Sequence, residues 1–291
     1  MLVAAAMIWG LSFVAQSEGM KHVEGFTFNG IRMLMGSATL MPIIIFNRRK
    51  HPVKTDKAQK KATAKKYALA ILPVGLALFA GSNLQQFAFN YIEVGKVGFL
   101  TAFYMLLVPI FGLFMKKRPP FTVWIGVILG MGGLYLLCLG ESNSFGLGTG
   151  EIITLLCAVA FAVHIILIDK FASEVDPVIL SCGQFFVTGV LSVICMFIFE
   201  EPTIAGINSA IVPILYAGIM SSGVAFTFQV IGQKYTEPTI ASMLLCLESV
   251  FSVIFAFIIL GEDMATGEYI GCVVMFIAII IAQIPAKKKL K

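Results

Sequence analysis

Three ionisable residues of this sequence, Arg32, His164 and Glu248, lie inside long apolar runs. Charged groups are costly in a membrane, so such residues face a cavity, a water-filled path or a partner. At about 1.5 Å of rise per residue, Glu248 and His164 lie about 18 Å and about 20 Å from the ends of their runs, near the middle of a bilayer. Arg32 lies about 9 Å from the end of its run. The three residues are therefore candidates for a transport site.

Each of these residues has two interpretations from the sequence. Glu248 is either a protonatable carboxylate that couples transport to protons, or a structural acceptor that fixes helix packing. Arg32 either binds a substrate carboxylate or extends its charged end to the membrane surface. His164 either lines a cavity or is a hydrogen-bonded histidine at a helix interface.

Neutral polar residues recur at helical spacing in the same apolar runs. Trp9, Ser12 and Gln16 follow an i, i+3, i+7 pattern and share one helix face. Buried amides are costly unless they are hydrogen-bonded, so a wet substrate cavity is one explanation and hydrogen bonds in packed helix seams are the other. The predicted cavity residues are Trp9, Ser12, Gln16, Arg32, Asn83, Gln86, Tyr104, His164, Gln184, Gln229 and Glu248.

The composition indicates that the solvent for these residues is lipid. Of the 291 residues 58% are apolar and 13% are charged, and the mean hydropathy is +0.93. A soluble domain of this length carries about twice that charged fraction. The net charge of +5 does not predict nucleic-acid binding, because most basic residues lie in connecting segments and do not line a folded polar face. The six cysteines have no paired spacing, so neither a disulfide framework, a metal site nor a cofactor is predicted.

Apolar runs of about 20 residues, the length that crosses a bilayer, predict an all-α membrane protein with ten transmembrane helices. The lysine-rich stretch 47–66 is expected to be a solvated loop. Four prolines inside predicted spans indicate kinks or breaks: Pro42, Pro73, Pro109 and Pro213. The predicted spans are 2–17, 26–46, 67–89, 95–115, 121–139, 151–170, 177–199, 208–231, 238–260 and 268–285.

The distribution of basic residues predicts the orientation. With the N-terminus inside, cytoplasmic segments carry 18 lysines and arginines, whereas the outer loops carry Lys21 and Lys96. Arg32 lies within the second span. Cytoplasmic loops are enriched in Lys and Arg, so both termini are predicted to be cytoplasmic.

The sequence also predicts an internal repeat. Spans 1–2 align with spans 6–7 at an offset of 152, and spans 3–4 with spans 8–9 at an offset of 144. Each half has five spans, an odd number, so the second half would be inverted relative to the first, as in many transporters. The predicted domains are 1–145 and 146–291. Aligned pairs include Trp9–Phe161, Arg32–Gln184, Gln85–Gln229, Tyr91–Tyr235, Glu93–Glu237, Tyr104–Glu248 and Arg118–Glu262.

Two stretches resemble a known family. Residues 7–14 and 30–34, with Trp9, Gly10 and Arg32, resemble the start of an EamA-type repeat of the drug/metabolite transporter superfamily. Residues 242–262 are similar to the "L-E-P-V … L-x-G-E" signature of the second repeat, with Ser249 where the family commonly has proline. The resemblance covers essentially the whole chain. It implies a ten-helix exporter of amino acids, metabolites or drugs, commonly proton-coupled, with a central cavity between helices 1–4 and 6–9 and with helices 5 and 10 outside.

We therefore expect a multi-pass transporter of the cell membrane that exports small metabolites or drug-like solutes by alternating access. Expected partners are a small-molecule substrate, the lipid bilayer and, if transport is coupled, a proton; monomer and homodimer are both open. A channel or a non-transporting scaffold is the alternative. An intramembrane enzyme is disfavoured because the sequence has no H-E-x-x-H, G-x-S-x-G or P-loop lysine motif and no second midplane carboxylate.

Overall fold

A computed structural model describes residues 1–50, 56–92, 94–116, 119–139, 148–255, 258 and 265–284. Within these ranges the ordered elements are helices, and no strand occurs. Several expectations fall outside them. These concern the aligned positions Glu93, Arg118 and Glu262 of the predicted repeat, the domain boundary at 145–146 and the lysines at the C-terminus.

The first half of the chain forms six helices within the described residues. The first two are separated by only five residues, and the fourth and fifth by two. The helices are α1 (Leu2–Gly19), α2 (Gly25–Lys50), α3 (Lys57–Ala88), α4 (Val94–Thr101), α5 (Tyr104–Phe114) and α6 (Phe121–Leu139).

The second half has two long helices followed by a more interrupted region. An 11-residue π-helix, called here the π segment (Tyr216–Phe226), lies between two short α-helices. Such segments are rare and are frequent at functional sites. The α-helices are α7 (Thr149–Phe171), α8 (Pro177–Phe199), α9 (Ile204–Ser209), α10 (Ile211–Leu215), α11 (Thr227–Gln233), α12 (Pro238–Leu245), α13 (Leu247–Phe255) and α14 (Thr266–Ala282).

The helical stretches have the length and apolarity of membrane spans. In the described ranges, eight stretches of 18 or more residues are long and apolar enough to cross a bilayer, and two shorter apolar helices, 121–136 and 266–282, accompany them. The eight coincide with predicted spans 1–4 and 6–9, and the two shorter helices with predicted spans 5 and 10. The chain is an all-helical membrane protein.

The expectation of a loop over 47–66 is wrong for the residues that the structure describes. Helix α2 continues to Lys50 and α3 begins at Lys57. A capping box starts α3: the Asp56 side chain accepts from Gln59 N at 2.7 Å, and the Gln59 side chain accepts from Asp56 N at 3.3 Å. The following residues are mainly lysine, alanine and glutamine, which favour helix in water.

Two predicted spans are interrupted near their middle, at positions without proline. The fourth breaks at Ala102–Phe103, between α4 and α5, and the ninth breaks at Cys246, between α12 and α13. By contrast α2, α3 and α5 continue through Pro42, Pro73 and Pro109, so of the kinks or breaks expected there no break occurs.

The helices divide into a central group and an outer pair. Helices α6 and α14 pack along each other; a Cβ at Gly126 would lie 2.7 Å from the Ala278 carbonyl oxygen, so only glycine allows this approach. In the central group, α1 packs against α13 and the π segment, α2 against α8 and the π segment, and α3 against α7 and α8. This arrangement places the ends of α5 and α13 in the middle of the molecule.

Candidate functional site

A cavity of about 40 Å³ lies among the central helices. Helices α1, α2, α3 and α7, the π segment and the shorter helices α4, α5 and α11–α13 contribute to its wall, whereas no lining residue comes from α6, α8 or α14. The lining residues are Trp9, Phe13, Gln16, Arg32, Gln85, Thr101, Tyr104, Phe161, Ile165, Ser221, Phe226, Gln229, Leu245 and Glu248.

The broken helices bring Glu248 and Tyr104 together at this cavity. Tyr104 is the first residue of α5 and Glu248 the second of α13, and the Tyr104 hydroxyl donates to Glu248 Oε1 at 3.3 Å. The two breaks also meet, because the Cys246 thiol donates to the Ala102 carbonyl oxygen at 3.7 Å. Glu248 is 5% exposed. A carboxylate is therefore placed beside a phenol in a site enclosed by protein.

The neighbouring helix α1 fixes the position of Glu248. Gly10 allows the backbones to approach, since a Cβ there would lie 2.8 Å from the Glu248 carbonyl oxygen and 2.8 Å from Ser252 N. Next to it, Trp9 donates its indole N–H to the Ser221 carbonyl oxygen at 3.3 Å, and its ring meets Phe226 edge-on with centroids 4.6 Å apart. The Trp9–Gly10 pair thus forms both the cavity wall and the contact that supports Glu248.

Arg32 is held by a chain of amide hydrogen bonds. Its Nε donates to Asn29 Oδ1 at 2.6 Å, and Asn29 Nδ2 donates to the Ser82 carbonyl oxygen and to Asn83 Oδ1, both at 3.0 Å. Arg32 is 2% exposed. In this structure its charged end therefore faces the interior and does not extend to the membrane surface.

Six of the eleven predicted cavity residues line one cavity: Trp9, Gln16, Arg32, Tyr104, Gln229 and Glu248. The other five are buried outside its lining. His164 Nε2 and Gln184 Oε1 are paired at 2.8 Å, which matches the helix-interface interpretation of His164. Gln86 donates to the Gln16 carbonyl oxygen at 3.4 Å, Asn83 donates to Ser192 Oγ at 3.0 Å, and Ser12 Oγ has no hydrogen-bond partner among the described residues.

Sequence reasoning missed most of the apolar wall, formed by Phe13, Phe161, Ile165, Phe226 and Leu245. Apolar residues are abundant in every span, so their type carries no signal. Helical spacing carries some: Phe13 is four residues from Trp9 and shares its face. Asn29 was also missed, although it lies three residues before Arg32 on the same helix face.

Polar contacts join the two halves of the chain at one end of the bundle. The Glu200 carboxylate, at the end of α8, accepts from Phe26 N at 2.6 Å, Thr27 N at 2.7 Å and Thr27 Oγ1 at 2.7 Å. It therefore caps the start of α2, where free N–H groups and the helix dipole favour a negative charge. Lys96 of α4 forms an ion pair with Glu151 of α7. Both contacts must change if these helix ends separate.

Metal coordination has no candidate in the part of the chain that the structure describes. No group of three or more His, Cys, Asp or Glu residues lies close enough there to hold a metal ion.

Known proteins resemble this chain over nearly its whole length. It is 26% identical over 285 residues to an uncharacterized transporter of Archaeoglobus fulgidus, covering 97% of this chain and 84% of the relative. It is 22% identical over 284 residues to YoaV, an uncharacterized transporter of Bacillus subtilis, covering 94% and 92%. A solved crystal structure has the same fold, with a TM-score of 0.77, 20% identity and coverage of 96% of this chain and 94% of the other.

The sequence model of the EamA-like transporter family matches residues 1–139 and 148–283. These stretches contain every helix that the structure describes. The chain therefore belongs to the EamA-like transporter family and is a multi-pass protein of the cell membrane.

Proposed function

We propose that this protein is a secondary transporter that exports small metabolites, such as amino acids or drug-like solutes, by alternating access, with Glu248 as its proton-coupling site. The observation that carries the proposal is the central cavity, where a carboxylate, a phenol, a guanidinium and three glutamines meet aromatic side chains. A few convergent polar groups in an apolar pocket are typical of small-molecule sites.

The proposal includes ten spans, cytoplasmic termini and two inverted halves, 1–145 and 146–291. The cavity supports the repeat, because the two sequence offsets pair ten of its lining residues with one another. At an offset of 152 the pairs are Trp9–Phe161 and Phe13–Ile165; at an offset of 144 they are Gln85–Gln229, Thr101–Leu245 and Tyr104–Glu248. A two-fold axis through the cavity would bring equivalent residues to it from both halves.

Helix packing supports the same symmetry. Helix α1 packs on α13 as α7 packs on α4 and α5, and α2 packs on the π segment as α8 packs on α3. Under the repeat these contacts are equivalent pairs. The family match in two stretches, 1–139 and 148–283, agrees with the proposed boundary.

The size of the cavity supports alternating access. Small-molecule pockets enclose about 300–1,000 Å³, whereas this cavity has about 40 Å³, which is space for water. Substrate entry therefore requires the surrounding helices to separate. The contacts of Glu200 and of the Lys96–Glu151 pair hold one end of the bundle together and would have to open when the site faces that side.

Glu248 fits the coupling role because its surroundings respond to its charge. When it is ionised, the Tyr104 hydroxyl at 3.3 Å stabilises the carboxylate by hydrogen bonding. When it is protonated, the site loses a negative charge and the contact between the breaks of α4–α5 and α12–α13 changes. A proton bound here can thus bias the two access states, because these states differ in how the two halves meet.

The experiment is uptake by purified protein in liposomes, with amino acids and cationic drugs tested with and without a pH gradient. Glu248→Gln keeps the shape of the side chain and removes its titration, so gradient-driven accumulation should be lost while exchange of substrate across the membrane persists. Glu237→Gln is the matched control, because Glu237 is an exposed acid directly before α12. Gradient-driven uptake that is unchanged in Glu248→Gln would exclude this residue as the coupling site, and uptake that ignores the gradient in wild type would exclude proton coupling.

A further inference from the structure

Arg32 carries a buried positive charge that no acid in the described part of the chain neutralises directly. It lines the cavity and is 2% exposed. Among the residues that the structure describes, no carboxylate oxygen lies within 4.0 Å of its guanidinium, although Glu248 lines the same cavity. A buried charge is costly unless it is paired and hydrogen-bonded. Its retention here points to a partner that is not part of the protein.

The hydrogen bonds of Arg32 leave most of its donors free for such a partner. A guanidinium has five N–H donors, and in the described part of the chain only the Nε–H is bonded, to Asn29 Oδ1 at 2.6 Å. Asn29 cannot easily turn away, because its Nδ2 is bonded to the Ser82 carbonyl oxygen and to Asn83 Oδ1. The Phe28 ring, 5.7 Å from Arg32 Cζ, covers the guanidinium. The side chain is therefore fixed in orientation, which favours a planar, bidentate partner.

The rest of the cavity limits what that partner is. Most of the exposed wall is apolar, and its aromatic part consists of Trp9, Phe13, Phe161 and Phe226. The single guanidinium matches one negative charge, and Glu248 in the same cavity opposes a second. Planar carboxylates fit the fork of an arginine.

We propose that Arg32, positioned by Asn29, binds the carboxylate of an organic monocarboxylate whose body is apolar or aromatic. The inference rests on the proposed transport function and deepens it, because it names the substrate group that the cavity recognises. Asn29 is then a positioning residue, and a free amino group on the substrate is not required for binding.

Binding can be measured directly at the cavity, without transport. The chain has two tryptophans, and Trp9 lines the cavity whereas Trp124 lies in α6 outside it. In a Trp124→Phe background the emission of Trp9 reports ligand binding to purified protein in detergent. The probes are phenylacetate, its neutral analogue phenylacetamide, and the cation phenethylamine.

Phenylacetate should quench Trp9 emission saturably, with phenylacetamide and phenethylamine at least about tenfold weaker. Arg32→Gln should weaken phenylacetate binding at least about tenfold. Asn29→Asp should weaken it as well, because it keeps the volume and the acceptor but supplies an internal carboxylate to Arg32. The matched control Arg49→Gln removes an exposed arginine from the same helix and should leave binding unchanged.

Arg32→Lys separates loss of binding from loss of folding, because lysine keeps the positive charge but cannot form the bidentate hydrogen bonds of arginine. It should bind with intermediate affinity and elute as the same monodisperse species as wild type. Equal binding of phenylacetate and phenylacetamide, or no binding of phenylacetate, would overturn the inference. So would unchanged affinity in Arg32→Gln and Asn29→Asp.

Transport is tested separately with the same probe in liposomes. Selective binding of phenylacetate without its uptake would leave the carboxylate site in place and reject the transporter function. Uptake of other solutes by a protein that does not discriminate phenylacetate from phenylacetamide would reject the carboxylate site alone.

Discussion

Two sets of buried polar residues lie 152 positions apart in the sequence, and they differ in whether their key hydrogen bond joins two helices or lies within one helix. The first contains Ser12 of α1 with Asn29 and Arg32 of α2, and is called here the arginine layer. The second contains the corresponding residues of the other half and is called the histidine layer: His164 of α7 with Ser181 and Gln184 of α8. All six residues are buried.

The two layers differ in where their hydrogen bonds go. In the histidine layer the bond joins two helices, since His164 and Gln184 satisfy each other at 2.8 Å, and neither lines the cavity. In the arginine layer Arg32 bonds within its own helix, to Asn29 three residues earlier, and lines the cavity. The bonds of this layer to another helix are made by Asn29, to Ser82 and Asn83 of α3.

Under the proposed repeat, one helix arrangement carries two chemical roles. A polar side chain that is paired across a helix interface fixes packing and is consumed by that contact. A side chain that is held from its own helix keeps its remaining donors for the cavity. Under that repeat, equivalent packing does not imply equivalent function, and the difference between the layers gives the cavity the positive charge of Arg32.

Substituting Asn29 and its counterpart Ser181 should have the largest and most unequal effects on the free energy of unfolding. Asn29→Ala removes the acceptor of Arg32 and two further hydrogen bonds, leaving a buried charge unsupported. We expect the free energy of unfolding to fall by about 2–4 kcal/mol. Ser181→Ala is the control, because Ser181 Oγ is buried without a hydrogen-bond partner among the described residues. Unfolding in SDS–detergent mixtures measures both; equal losses would contradict the difference between the layers.

Breaking the pair in the histidine layer should have a smaller effect. His164→Leu leaves the buried amide of Gln184 without its only described partner. We expect a loss of about 1–3 kcal/mol in the free energy of unfolding. Ser12→Ala at the equivalent position should change it by less than about 0.5 kcal/mol, because Ser12 Oγ has no partner among the described residues. Since His164 does not line the cavity, His164→Leu should leave the affinity for phenylacetate within about twofold of wild type; a larger loss would place His164 in the binding site.

The sequence predicts much of this architecture and less of the site. Apolar runs located the spans because lipid permits only helices with internally satisfied backbones. The breaks at Ala102–Phe103 and Cys246 escaped prediction because no proline marks them; they arise where two helices meet through tertiary contacts. The lysine-rich start of α3 was not predicted, because its high charge is typical of a solvated loop. Lysine, alanine and glutamine nevertheless favour helix.

Polar residues in apolar runs predicted Glu248, Tyr104 and Arg32 as cavity residues, because burying such groups is costly unless they face a cavity or a partner. Polarity could not separate them from His164 and Gln184, which are equally polar and equally buried. The difference lies in which neighbour accepts the hydrogen bond, and that depends on the distance between helices rather than on residue type.

The two layers also differ in how their long helices begin. Asp176 caps α8 locally, accepting from Val178 N at 2.9 Å and Ile179 N at 3.0 Å, whereas Glu200 of the other half caps α2. Glu200→Gln should lower the free energy of unfolding by about 1 kcal/mol and raise amide hydrogen exchange at residues 26–28. Asp176→Asn should cost only a few tenths of a kcal/mol, because asparagine caps helices almost as well as aspartate. Unchanged exchange in Glu200→Gln would show that this contact does not hold the two halves together.

The smallest expected effect tests the equivalence of the layers itself. Ser12→His combined with Arg32→Gln installs the histidine-layer pair in the first half. If residues 152 apart are structurally equivalent, the new side chains can bond, and the double variant should be more stable than the sum of the single variants by about 0.5–1 kcal/mol. Phenylacetate binding should stay lost, because the guanidinium is gone. A coupling free energy of zero would mean that the offset of 152 aligns the two sequences but not their side chains in space. The difference between the layers would then result from different helix packing, and not from different residues in the same packing.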